Sequence, residues 1–273
     1  MRVALIDNGS LEPAAHESLR AAAARVAGRS GIRVEAVSWR HSDRVGPGSL
    51  DGGAAWTLAP WIRARVSEGE RSFVLVPFFV SPQGAIGSAL RRDLEALSLE
   101  AGGLEFSFTR GLDAGADLAV IVADRVREAA AAWGLVRPAV VVVDHGGPTR
   151  ASAAVRDAVA EAARAILGAS VGPLAAASME SPDGPGHEFS RPLLFDALAQ
   201  PGFDAGDVVV APLFLSPGRH AGPGGDLAGI ARAAQGRSPR LRCHFAELVG
   251  SHPLATDSLS DALTEALGAG TRR

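Results

Sequence analysis

Short apolar runs alternate with long stretches rich in Ala, Arg and Glu along this chain. Residues 2–6, 72–77 and 138–143 have the length and β-branched content of strands, whereas 13–29 and 116–133 carry apolar residues at helical spacing. Strands that alternate with helices predict a parallel sheet covered by helices on both faces. The alternation therefore predicts an α/β fold.

The same criteria predict the remaining elements. Further strands are expected at 32–38, 104–109, 174–178, 207–212 and 241–248. Further helices are expected at 54–67, 84–97, 151–167, 191–199, 227–234 and 257–267.

Three blocks of sequence recur in the same order. DNGS at 7–10 matches DHGG at 144–147, VPFFVSPQGA at 76–85 matches APLFLSPGRH at 211–220, and 107–118 matches 245–259 more loosely. We therefore predict two homologous Rossmann-like halves, 1–136 and 137–273. Each would be a parallel sheet flanked by helices, and the two would face each other across a cleft. The signature loops of both halves would follow the carboxyl ends of strands, where open α/β sheets bind ligands.

The composition excludes several catalytic mechanisms and kinds of binding site. The chain contains no Lys and no Tyr, so there is no Schiff-base lysine, no P-loop lysine and no tyrosine acid or base. One cysteine, Cys243, excludes an intramolecular disulfide and a thiolate-only zinc site. A formal net charge of −3 argues against a nucleic-acid partner. Nucleotide-binding glycine motifs and the GxSxG hydrolase motif are absent, so no nucleotide cofactor is expected.

The length of the apolar runs indicates whether the chain could enter a membrane. They are of strand length, far below the roughly 20 residues that span a bilayer. The first residues, MRVALIDNGS, lack the apolar stretch of a signal peptide. We therefore expect a cytoplasmic protein without a membrane partner.

Two histidines end strands in the second half. His145 follows the strand at 138–143, and His220 closes the PLFLSPGRH segment. Glu180 follows a neighbouring strand, so the three side chains are expected at one sheet edge. Two imidazoles and a carboxylate can form an open site for a divalent metal, or the histidines can act as bases near neutral pH. The alternative is that each histidine only caps its loop.

VDHGGP and PLFLSPGRHAGPGGDL resemble the signature blocks of the sirohydrochlorin chelatases of the CbiX/SirB type. The resemblance covers both halves, since long members of that family are internal duplications. It implies insertion of Co²⁺ or Fe²⁺, as a substrate, into sirohydrochlorin or a related tetrapyrrole without a nucleotide. It also implies that His145, His220 and, less directly, Glu180 bind the metal and take up the pyrrole protons. A metal or tetrapyrrole carrier without catalysis, and a chelatase-fold enzyme with another substrate, remain the alternatives.

The first half departs from the family pattern. Asn8 and Ala85 stand where the repeat and the family place histidines. Asn8 is the only Asn in the chain, and either a turn conformation or a contact with substrate would explain it. We predict that the first half forms a wall for the tetrapyrrole. The residues expected to bind this substrate are Asn8, Ser10, His41, Ser81, Arg150 and Arg219.

Overall fold

The computed structural model separates into two compact units. The residues that it describes are 1–51, 53–80, 85–112, 116–147, 149–182, 185–222 and 224–270. Unit 1 comprises Met1–Leu112 together with Pro253–Arg273, and unit 2 comprises Asp113–His252. No helix among the described residues is long and apolar enough to cross a membrane.

Unit 1 is built on a parallel five-stranded sheet with the order β3-β2-β1-β4-β5. Its strands are β1 (Arg2–Asp7), β2 (Glu35–Ser38), β3 (Trp56–Thr57), β4 (Ser72–Pro77) and β5 (Glu105–Phe108). Its helices are α1 (Pro13–Ser30), α2 (Leu58–Ser67), α3 (Ala85–Glu100) and the last helix of the chain, Pro253–Gly270. The central strands β1 and β4 are continuous buried apolar runs, as expected for a sheet covered on both faces.

Unit 2 has a parallel four-stranded sheet. Its strands are β6 (Ala139–Asp144), β7 (Leu174–Ser178), β8 (Gly206–Pro212) and β9 (Leu241–Phe245), in the order β7-β6-β8-β9. Its helices are α4 (Asp117–Trp133), α5 (Arg150–Leu167), α6 (Leu194–Ala197) and α7 (Asp226–Arg237), so Pro253–Gly270 is α8. Two covered parallel sheets confirm the predicted fold class.

The predicted elements are all present, with two marked differences in extent. The helix predicted at 54–67 begins only at Leu58, because Trp56–Thr57 pairs with β2 as the edge strand β3. The helix predicted at 191–199 is reduced to Leu194–Ala197, because Ser178 of β7 bonds to the carbonyl of Pro192 and bridges to Leu193. In both cases strand pairing takes residues that the periodicity assigns to a helix.

The two sheets share the same local geometry at their carboxyl edges. Asp7 lies opposite Ser38 in unit 1, and Asp144 lies opposite Ser178 in unit 2. Matching backbone hydrogen bonds continue past these pairs: Trp39 N to Asp7 O at 2.8 Å, Arg40 N to Asn8 O at 3.1 Å, Met179 N to Asp144 O at 2.8 Å and Glu180 N to His145 O at 3.1 Å. The sequence repeat therefore corresponds to a structural repeat around these loops.

The compact units differ from the predicted division at 136/137. Helix α4 packs on α5 and belongs to unit 2, whereas α8 packs on α1 and belongs to unit 1. In these positions both helices bury their apolar faces, which include Ile121 and Val122 in α4 and Leu259 and Leu263 in α8. The final helix of each sequence repeat thus packs in the unit built mainly from the other repeat.

Candidate metal site

His145 lies directly after β6 in a tightly packed turn. The next residue, Gly146, has φ of +92°, and a Cβ there would lie 1.9 Å from the carbonyl oxygen of Glu180. Only glycine fits such a conformation and so close an approach. The backbone of Glu180 in turn donates to the carbonyl of His145 at 3.1 Å. These contacts bring the loops after β6 and β7 together.

The second imidazole comes from the loop after β8. The ring centroids of His145 and His220 are 4.7 Å apart, with an edge-to-face angle of 87°. Nδ1 of His145 lies 3.5 Å from Oε1 of Glu180. The structure therefore brings together the three residues that the sequence analysis singled out, on adjacent strands of one sheet.

This arrangement is an open pair of imidazoles with a carboxylate beside one of them. The side chains of His145 and Glu180 are about half exposed, whereas that of His220 is 32% exposed. Within the part of the chain that the structure describes, no three His, Cys, Asp or Glu side chains are grouped as a complete metal site. A metal held here would need further ligands from water or from a substrate. Such incomplete coordination by the protein favours transfer of the ion to another molecule.

A buried ionic network lies beneath this site. The guanidinium of Arg156, on α5 and 3% exposed, lies 3.8 Å from Asp144 and donates to the hydroxyl of Ser178. Ser178 donates to Asp144 at 2.6 Å. Burial raises the pKa of Asp144 above its ordinary value, while Ser178 and the charge of Arg156 oppose that rise. The network ties the end of β6, directly before His145, to the end of β7.

The equivalent turn of unit 1 has the same backbone with different side chains. Gly9 has φ of +88°, and a Cβ there would lie 1.7 Å from the carbonyl oxygen of Arg40. Asn8 thus occupies the place of His145, and Arg40 that of Glu180. The guanidinium of Arg40 lies 4.0 Å from the centroid of the Trp39 ring and donates to Asp93 at 2.8 Å. Unit 1 therefore retains the loop geometry of unit 2 without the imidazole and the carboxylate that this turn carries in unit 2.

Comparison with known proteins gives a family match that covers the candidate site. The CbiX family model matches residues 139–266, which contain both histidines and Glu180. Residues 139–266 of the chain belong to the CbiX family. The family resemblance deduced from the sequence motifs is confirmed. No curated protein matches the chain significantly.

Solved structures extend the likeness to both units. SirB from Bacillus subtilis with Fe³⁺ has a TM-score of 0.65 at 14% identity, over 99% of this chain and 98% of SirB. CbiX, described as the terminal enzyme for siroheme biosynthesis in denitrifying bacteria, has a TM-score of 0.63 at 16% identity, over 97% and 99% of the two chains. DR2241 from Deinococcus radiodurans, a multi-domain protein with similarity to chelatases, has a TM-score of 0.62 at 17% identity, over 96% of this chain and 54% of DR2241. At these identities the likeness establishes a shared fold.

The remaining residues expected to bind substrate have varied surroundings. In the CbiX part, Arg150 begins α5 and lies 5.3 Å from the ring centroid of Phe189, and Arg219 is 80% exposed. In unit 1, the Ser10 amide donates to Ser42, and His41 is an exposed residue with φ of +72°. Ser81 lies outside the described residues.

Sequence reasoning missed two functional candidates in the CbiX part. Asp226 accepts a 2.7 Å hydrogen bond from Nδ1 of His220, and Arg156 anchors the network beneath His145. Asp226 directly precedes the helix predicted at 227–234, and Arg156 lies within the helix predicted at 151–167; charged residues are ordinary in both places. In the sequence, the only indication that Asp226 pairs with His220 is that it follows this histidine by six residues.

Asp7 in unit 1 is the counterpart of Asp144 without a guanidinium. Its Oδ1 is buried with no hydrogen-bond partner among the described residues, and Leu19 stands at the position equivalent to Arg156. Burial raises the pKa of Asp7 from 3.8 to about 6, against smaller opposing hydrogen bonds from Ser38 and the backbone. Between these two pKa values the folded state holds a proton that the unfolded state has lost. Stability should therefore fall as pH rises from about 4 to about 6.

We expect Asp7→Asn to remove this pH dependence. A neutral amide does not titrate, so the variant should gain up to about 3 kcal/mol relative to the parent between about pH 4 and pH 7.5. Urea unfolding at the two pH values measures the effect. Asp43→Asn, which neutralises an exposed carboxylate of unit 1, is the control. Parallel pH profiles for the parent and Asp7→Asn would refute the assignment.

Proposed function

We propose that this protein inserts a divalent metal ion, Co²⁺ or Fe²⁺, into sirohydrochlorin or a related tetrapyrrole, without a nucleotide. The observation that carries the proposal is the pair of imidazoles whose centroids are 4.7 Å apart, in the part of the chain that belongs to the CbiX family. Structures of similar fold support the proposal, because they include SirB with Fe³⁺ and the sirohydrochlorin chelatase SirB in complex with cobalt. A cytoplasmic location stays a prediction.

The chemistry requires two events at one place. Two pyrrole N–H protons must leave the macrocycle, and one metal ion must enter it. Neutral imidazoles of His145 and His220 can either bind the ion or accept these protons, because histidine changes charge near neutral pH. Glu180, 3.5 Å from His145, can stabilise the imidazolium that forms. An incomplete protein ligand set leaves coordination positions for the pyrrole nitrogens.

Arginines would bind the carboxylates of the tetrapyrrole. Arg150 and Arg219 flank the loops that carry the two histidines, and Arg219 is mostly exposed. Guanidinium groups pair with carboxylates through two parallel hydrogen bonds. Arg219 also lies 3.6 Å from Asp226, so a substrate carboxylate would share or replace that contact.

A turnover assay tests the function. Purified protein is mixed with sirohydrochlorin and Co²⁺ or Fe²⁺, and the visible spectrum follows metallation. The proposal expects a rate that is proportional to protein concentration and above the spontaneous rate. Saturable binding of metal or macrocycle with no acceleration would instead indicate a carrier. A lack of acceleration with either metal would refute the chelatase assignment.

Asn8 tests the proposed wall for the substrate in unit 1. The positive φ of this turn belongs to Gly9 and not to Asn8, which removes the main conformational reason for an asparagine. We expect Asn8→Asp to weaken macrocycle binding, because it adds negative charge towards an anionic ligand, and to leave the melting temperature nearly unchanged. Co²⁺ affinity at His145 and His220 should not change. Normal macrocycle binding by Asn8→Asp would exclude Asn8 from the substrate site.

A further inference from the structure

Asp226 contacts the imidazole of His220 at Nδ1. Oδ2 of Asp226 lies 2.7 Å from Nδ1 of His220, the shortest of the histidine–carboxylate contacts among the described residues. The backbone is fixed at the same place: Asp226 N donates to Arg219 O, and Leu227 N donates to His220 O, both at 3.1 Å. The start of α7 therefore fixes both the backbone and the ring of His220.

Close packing reinforces this contact. A Cβ at Gly225 would lie 2.9 Å from the carbonyl oxygens of both Arg219 and His220. The loop that carries His220 thus passes so close to the start of α7 that any side chain at Gly225 would push it away. Asp226 follows directly, so its carboxylate reaches Nδ1 from a rigid position.

A carboxylate can only accept hydrogen bonds. Nδ1 of His220 must therefore carry the hydrogen, which leaves the lone pair on Nε2. We propose that Asp226 is a positioning residue that selects this tautomer and orients the ring, so that His220 presents Nε2 to the metal. Carboxylates hold metal-binding histidines in this way in many metalloproteins. The consequence for the metal rests on the proposed function, whereas the tautomer does not.

Unit 1 provides an internal comparison. The repeat offset is 135 residues at the end of β8 and 137 after β9, which places the equivalent of Asp226 between residues 89 and 91. These residues are Ala89, Leu90 and Arg91, and none is acidic. The half that has Ala85 in place of His220 thus also lacks the carboxylate.

The first test measures the tautomer in the protein without metal. Long-range ¹H–¹⁵N correlation of ¹⁵N-histidine-labelled protein distinguishes a protonated Nδ1 from a protonated Nε2, and His220→Gln assigns the signal. We expect Nδ1–H for His220 in the parent and a mixture of tautomers in Asp226→Ala. An Nε2–H form in the parent, or an unchanged signal in Asp226→Ala, would overturn the proposal.

The second test measures Co²⁺ affinity by calorimetry. Asp226→Ala should weaken it by roughly 10- to 100-fold, and Asp226→Asn by less, because the amide oxygen can still accept from Nδ1. Asp196→Ala is the matched control, since Asp196 is also an acidic residue in the first turn of a unit 2 helix and pairs with Arg191. An equal loss in both alanine variants would reduce Asp226 to a helix-stabilising residue. A protein that shows the expected tautomer without metallating sirohydrochlorin would refute the proposed function alone.

Discussion

His220→Ala is expected to abolish metallation while the protein stays folded. The imidazole is one of the two that are paired in the site, and its ring is partly exposed, so its removal costs little packing. Loss of a group that binds the ion or takes up a proton should lower turnover by roughly 10²- to 10⁴-fold. Steady-state metallation and the Co²⁺ binding isotherm measure the effect. Activity within a few-fold of the parent would contradict the assignment.

His145→Ala should behave in the same way. Since the two rings are in contact, the double variant should be little worse than either single variant, because residues that act as a unit show strongly non-additive losses. His244→Ala is the control. Nε2 of His244 lies 2.9 Å from Asp207, so this histidine links two strands of the sheet and is not part of the site. It should leave Co²⁺ affinity unchanged. Additive losses for the His145 and His220 variants would argue for separate roles.

Glu180→Gln decides how this carboxylate contributes. The side chain lies 3.5 Å from His145 and does not complete a three-ligand cluster among the described residues. We therefore expect a milder loss than in either histidine variant, since the amide keeps the shape of the side chain. A loss as severe as that of His220→Ala would identify Glu180 as a metal ligand.

Arg156→Leu is expected to destabilise the protein by about 3–5 kcal/mol at neutral pH. Arg156 is 3% exposed, and its removal leaves the largely buried carboxylate of Asp144 without its cation. It also removes a donor to the carbonyl of Phe189, 3.0 Å away. Leu imitates Leu19, the buried residue at the equivalent position of unit 1. Urea unfolding measures the loss.

The pH dependence identifies the cause of this loss. Without Arg156, the pKa of Asp144 should rise further above its ordinary value, so the carboxylate of the variant takes up a proton as pH falls. The stability difference from the parent should therefore shrink between about pH 8 and pH 5. Arg156→Leu/Asp144→Asn is the control and should recover part of the loss at pH 8. A difference that does not vary with pH would point to lost packing instead.

Local sequence patterns determined much of this protein. Strand-length apolar runs and helical spacing predicted sixteen of the seventeen strands and α-helices in the described part of the chain, all except the short edge strand β3. The duplicated DNGS/DHGG and PFFVSPQGA/LFLSPGRH blocks located the loops at the sheet edge. His145 and His220 could be selected because parallel strands direct their carboxyl ends to one edge, whatever the details of packing.

Tertiary structure alone decided the rest, because it depends on contacts between residues distant in sequence. The final helices α4 and α8 could not be assigned to a unit from their own residues, since any partner that buries their apolar faces satisfies them equally. Arg156 and Leu19 occupy equivalent helix positions. Only the fold shows that Arg156 places a positive charge near the carboxylate of Asp144, whereas Leu19 is a buried apolar residue. The pairing of Asp226 with His220 likewise arises because the start of α7 packs against the loop after β8.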